Sequence, residues 1–419
     1  MRQIHNGILL PSLLTGLLVG LLSGVLWPLS AVAADQPLAQ VPEPFQGFDP
    51  ASTYSIRYDD VDGFLTAAVV DTGRSSREKA DPQQAKTGTR MKVKVKRSTI
   101  NEGNRFVYEA FEDDDEGQNR ETLKAMRKSL EEVPAQAPLA VFSRDEQLAY
   151  WLNLYNLTVL DELVALYPKR NLKKYVVGKQ SIFAKKTLNV AGVPLSLDDI
   201  RLTILRQNYD GNPLVLYGLY QGVIGGPNIR KRAYTGENVW RQLEHNATEF
   251  VNSNRGTQAD EKAFEVSEFY RQNEWYFADF EADLRAHLLT YLEGPERSAL
   301  QAAERIAADI SDWTITDLYG SYDRIGGSFA DNNAALLDSW QSLSVDDKGQ
   351  TFSSNFSAPS GQAQARAPEL SRFSPQLREH LVEIKIREER ANQQKQGLVT
   401  VEEMGEAPEK SENSQEQEQ

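Results

Sequence analysis

Between Arg144 and Tyr167 apolar residues recur at helical spacing on more than one face. Leu148, Trp151, Leu152, Tyr155, Val159, Leu160, Leu163 and Leu166 leave no continuous polar side. That pattern predicts a buried helix, ~36 Å long at ~1.5 Å per residue. Ser143-x-x-Glu146 reads as a capping box at its start, and Pro168 stops it. The rest of the chain alternates between short strand and helix signatures. A helix is predicted near 60–70, and a period-two strand at Met91–Arg97 with a partner over Arg105–Phe111. A hairpin is predicted around Ala191-Gly192, with a helix over 197–206 behind Ser196. Leu214–Leu219 reads as an apolar strand and Phe264–Phe269 as another, with helices over 237–251 and 277–292, the last ended by Gly294-Pro295. Without a regular βαβ rhythm this predicts an α+β fold: one globular domain with a long buried central helix and a small mixed sheet.

The ends of the chain differ in character. Residues 1–34 carry Arg2, an apolar run from Ile8 to Leu26 and the small residues Ser30 to Ala34, the pattern of a secretory signal. The plainer alternative is an uncleaved anchor, since the run approaches the ~20 residues that span a bilayer. Residues 35–50 are Pro- and Gln-rich and read as a linker, with the globular domain over 51–325. Residues 326–375 read as a low-complexity linker, 376–396 as an isolated amphipathic helix, and 397–419 as a disordered acidic tail.

Composition narrows the chemistry. There is no cysteine, which excludes thiol catalysis, disulfides, a lipoprotein anchor and Cys-ligated zinc. Only His5, His245, His287 and His380 occur, so no His-rich metal site is assembled, and no cofactor is assigned. The balance of 46 Lys and Arg against 60 Asp and Glu gives −14, which argues against nucleic acid as a partner. The alternating Lys/Arg row of 91–97 is expected to be a solvated strand face rather than an anion site.

Two constellations remain. Asn153 and Asn156 lie at i, i+3 on the stripe of Glu146, and a buried amide without partners costs on the order of 1–3 kcal/mol. The polar stripe is therefore either the floor of a site or a tie to a neighbouring loop. Gln221-Gly222-x-x-Gly225-Gly226-Pro227-x-x-Arg230 follows it. Glycines admit backbone donors to a ligand, and Arg230 offers a charged fork for a carboxylate. The plainer reading is a tight turn, since neither phosphate-loop nor dinucleotide spacing is present.

Tyr150-Trp151-Leu152-Asn153-Leu154-Tyr155-Asn156 resembles the domain-of-unknown-function 547 family. So do Leu195 to Ile200, the 221–230 loop, Phe264-x-x-Ser267-x-Phe269-Tyr270 and Asp312-Trp313-x-Ile315. The likeness spans roughly 55–325. The resemblance implies an exported bacterial protein with no assigned activity; plant relatives carry the domain beside a coiled coil. Many members have an Asn-Cys-Gly-x-x-Ser-Cys-Pro loop preceded by a histidine. Those positions fall here on Gln221, Gly226 and Leu216, so a thiol mechanism does not carry over.

The expectation is a periplasmic or secreted, non-catalytic binding or envelope-associated domain. Its candidate ligand residues are Asn153, Asn156, Gln221, Gly225, Gly226 and Arg230. The ligand is a small molecule, peptide or glycan, and no membrane span remains once the leader is removed. Two alternatives stand: a hydrolase of envelope peptide or glycan without a cysteine nucleophile, and a scaffold docking a protein through the C-terminal helix.

Overall fold

The computed structural model describes residues 40–77, 99, 102–112, 117–260, 263–318 and 372–402. The described residues all fall within one compact unit, Asp35–Gln419. The leader, the Met91–Arg97 row and most of the 326–375 stretch lie outside the described residues.

Helix α3 (Arg144–Leu166) is the axis, following α1 (Asp59–Ala68) and α2 (Gln118–Glu131). Every residue of α3 from Glu146 to Leu160 is buried, as its all-round apolarity requires. Ser143 Oγ accepts from Glu146 N at 3.2 Å, so the cap forms. The reciprocal half of the expected capping box does not. The Glu146 carboxylate instead takes the amides of Ile56 at 3.0 Å and Gly236 at 2.9 Å. Pro168 pushes Tyr167 out of helical geometry, to φ −59° and ψ 139°. Phe45 lies in the stretch expected as a linker, yet it is fully buried and meets the Trp151 ring edge-on at 5.0 Å. An aromatic side chain among the prolines is enough to anchor that stretch to the core.

The fold is α+β. Strand β1 (Val69–Val70) pairs antiparallel with β2 (Arg105–Phe106), and β3 (Lys186–Val190) forms the expected hairpin with β4 (Val193–Ser196). A mixed sheet has β6 (Phe264–Ser267) at its centre. It lies antiparallel to β5 (Thr257–Ala259) and parallel to β7 (Ile306–Ile310). Helices α4 (Val239–Val251), α5 (Phe280–Tyr291) and α6 (Gly294–Ala302) pack around the same core. Gly294 and Pro295 open α6 rather than only closing α5, because proline is suited to a helix's first turn.

Several local assignments differ from the sequence pattern. Pro213–Gly218, expected within a strand, is a 3-10 helix, started by Asn212 Oδ1 accepting from Leu214 N at 2.9 Å. A short run buried on all sides has no periodicity to separate strand from helix. The strand expected over 105–111 ends at Phe106, and Tyr108–Phe111 is a 3-10 turn. The strand expected over 264–269 stops at Ser267, whose Oγ caps a helical turn by accepting from Phe269 N at 3.1 Å. Ser196 does cap the next helix, accepting from Asp199 N at 3.0 Å, but that helix is π-wound over Asp199–Leu205.

Helix α7 (Pro375–Glu402) includes the segment expected as an isolated amphipathic helix and the first residues expected as tail. Its entry packs on the core: Leu377 and Leu381 are buried, and Phe373 sits 6.1 Å from Phe142. Arg372 grips Asp60 through both terminal nitrogens, at 3.1 and 2.7 Å. Among the described residues no helix is long and apolar enough to cross a membrane.

Candidate functional site

The polar stripe of α3 is a pair of clamps. Asn153 Nδ2 donates to Tyr234 O at 2.8 Å, while its Oδ1 accepts from Tyr234 N at 3.0 Å. One turn on, Asn156 Nδ2 donates to Gly218 O at 3.0 Å, and its Oδ1 accepts from Tyr220 N at 3.1 Å. Both amides are satisfied by backbone, and both hold the ends of the segment that contains the 221–230 loop. Glu146 holds the same segment at Gly236. Burial raises the Glu146 pKa above the usual carboxylate range, against the pull of its two backbone donors.

The loop itself is tied into the chain. Ile224 N donates to Thr314 O at 2.9 Å, Gly225 N to Asp312 O at 2.9 Å and Gly226 N to Val223 O at 3.1 Å. Thr316 N returns a bond to Gly222 O at 3.0 Å. Gly222 is favoured by its φ of +77°, and a Cβ there would collide with the Leu163 side chain, which would have to shift. At Gly225 a Cβ would press on the Asp312 backbone at 2.9 Å. The Gly225 carbonyl accepts from Ser267 Oγ at 2.7 Å, and the Gly226 carbonyl accepts from Arg255. Gln221 is buried, with Nε2 donating to Gln272 Oε1 at 2.9 Å.

Three of the six candidates meet. Asn153, Asn156 and Arg230 line a recess of about 10 Å³ walled by Val61, Leu65 and Leu157, room for about one water. Arg232 and Tyr234 also border it. Gln221, Gly225 and Gly226 do not line it. Arg230 is half-buried, and its Nε is buried with no hydrogen-bond partner among the described residues. Its neighbour Arg232 is exposed and reaches Asp62 at 3.2 Å.

Two clusters near the loop carry no sequence signature. Arg255 is fully buried and ion-pairs with Glu249, whose Oε2 also accepts from Asn228 Nδ2 at 2.8 Å. Glu102 accepts from the amides of Asn254 at 3.0 Å and Arg255 at 2.9 Å. The pair therefore fixes the loop from beneath. On the other flank Tyr217 OH lies 3.0 Å from Tyr270 OH and 2.9 Å from His287 Nε2. Burial lowers the His287 pKa to about 4, so the ring is neutral at pH 7. The His287 ring stacks on Tyr217, with centroids 5.6 Å apart.

The clamps, the loop and the recess thus define an α+β domain whose polar centre is organised around one helix and one buried turn. Residues 139–251, which include all six candidates, match the model of a family described as "Protein of unknown function, DUF547". The match bears out the family resemblance over that segment. No curated protein and no solved structure matches the chain.

Proposed function

We propose that the chain is an exported, non-catalytic binding domain that takes a carboxylate through Arg230. The observation that carries this reading is the Arg230 guanidinium, which borders the recess with a buried, unpartnered Nε. A buried donor without a partner costs about 1–3 kcal/mol, and a charged acceptor supplied by a ligand would relieve it. The recess accepts only a water-sized group, such as one carboxylate oxygen, and the rest of the ligand lies on the surface. Peptide stems and acidic glycans of the cell envelope have that chemistry, and the leader's pattern supports a periplasmic or secreted setting.

Covalent catalysis at the loop is disfavoured on chemical grounds. A nucleophile needs an activated group beside a base, and at Gln221 stands an amide that neither titrates nor attacks. The test uses the chain from Asp35 with carboxylated envelope peptides and acidic glycans, following binding and product together. Binding that disappears in Arg230→Ala, with no product, supports the proposal. Turnover abolished by Gln221→Ala would replace it with the hydrolase reading.

A further inference from the structure

Residues 163–197 hold seven Lys and Arg residues and no Asp or Glu, in a chain whose net charge is −14. The segment leaves α3 at Pro168, makes a helical turn at Lys173–Val176 and enters β3. It is pinned to the core by backbone bonds, Leu172 N to Trp313 O at 2.9 Å and Ile315 N to Arg170 O at 2.8 Å. Leu172 and Val176 point inward and are buried, one helical turn apart. Their neighbours are consequently turned to solvent: Lys169, Lys173, Lys174 and Lys179 are all exposed.

Lys185 and Lys186 of the segment face acidic side chains. Lys186 reaches the buried Asp199 at 3.8 Å, and Lys185 lies near enough to Glu162 to oppose in part the burial that raises its pKa. The four exposed lysines have no acidic partner among the described residues. Lys174 Nζ lies 4.8 Å from the Tyr175 ring centroid, and Lys173 Nζ 5.9 Å from that of Trp313. Beside them Val177 is 45% exposed, an apolar side chain set among positive charges.

We propose that this face docks on an anionic lipid surface. Unpaired lysines on a rigid turn give charge complementarity, at about 1 kcal/mol per basic residue near such a surface. Their aliphatic stems and Val177 can enter the interfacial layer while the ammonium groups stay at headgroup level. The positive charge is confined to a segment without Asp or Glu in a chain of net charge −14, which a flexible polyanion would have to follow onto acidic surface. A soluble polyanion also has no apolar layer for Val177, and both nearby rings already lie under lysines rather than open for base stacking.

The test is co-sedimentation of the chain from Asp35, one compact unit without the apolar leader, with phosphatidylglycerol–phosphatidylcholine vesicles. Pure phosphatidylcholine vesicles and soluble polyglutamate are the comparison arms. Binding is expected only to the anionic vesicles, weakening from 50 mM to 500 mM salt. The double variant Lys173→Gln/Lys174→Gln, checked for an unchanged melt, should partition about 25-fold more weakly, from about 1 kcal/mol per charge. Val177→Ser should remove the part of the binding that resists salt. Equal binding to neutral vesicles, no binding to either vesicle, or preferential capture by polyglutamate would each overturn the proposal.

Discussion

Asn153 closes a two-point hydrogen-bonded ring on the backbone of Tyr234, donating at 2.8 Å and accepting at 3.0 Å. The ring is buried, so bulk solvent does not replace its bonds when one side is removed. Asn153→Ala strands an amide and a carbonyl together and should cost about 2–4 kcal/mol. Urea denaturation with an unchanged slope measures it. A loss under about 0.5 kcal/mol would mean that the loop is held elsewhere.

Gly222 is the backbone hinge of the same segment. Gly222→Ala meets both an unfavourable φ of +77° and the Leu163 side chain. Left-handed strain alone is worth about 1–2 kcal/mol, and the buried clash adds to it, for an expected loss of about 2–4 kcal/mol. A thermal melt reports it. A melt indistinguishable from wild type would contradict the close approach of Leu163.

The far C-terminal segment contributes to the core. Phe373, Leu377 and Leu381 are buried, and Arg372 grips Asp60. Ending the chain at Leu318 should remove about 4.5 kcal/mol or more, from three large buried side chains at ~1.5–3 kcal/mol each. The melting temperature should fall by roughly 9–18 °C. An unchanged melt would show that α7 adds nothing to the fold.

His287 couples the fold to pH. Its pKa is about 4 in the folded chain, below the ordinary value of 6.5. The unfolded chain therefore binds the proton first, and stability falls as pH drops from about 6.5 to 4. The loss amounts to about 2–3 kcal/mol at ~1.4 kcal/mol per pH unit. Glu146, Asp161 and Glu162, raised by burial, act the other way and lose stability as pH rises through their folded values. The difference between wild type and His287→Phe isolates the histidine. Parallel curves from pH 7 to 4 would refute its part.

What could be read from the sequence was what repeats or caps. Helix α3 announced itself through apolar periodicity, Ser143 and Pro168, and the β3–β4 hairpin through Ala191-Gly192. Asn153 and Asn156 were legible as buried amides in need of partners. That the partners are Tyr234, Gly218 and Tyr220 was not, because no local pattern encodes a bond across some 60 to 80 residues. Pro213–Gly218 has the sequence pattern of a strand yet is a 3-10 helix, because an all-apolar hexamer carries no period. The buried Arg255–Glu249 pair had no signature: one partner ends a helix, the other sits in the following loop, and each alone looks like surface charge.

The central claim is that Arg230 receives a carboxylate. The most direct measurement is a thermodynamic cycle by calorimetry, with one envelope peptide bearing a free carboxylate and its amidated twin. Each is titrated into wild type and Arg230→Gln. If the guanidinium meets the carboxylate, amidation and Arg230→Gln should each weaken binding by about 10–100-fold, from about 1.5–3 kcal/mol for a charge-assisted bond. Combining them should cost little more than either alone. Equal affinity for both peptides, or fully additive losses, would contradict the claim.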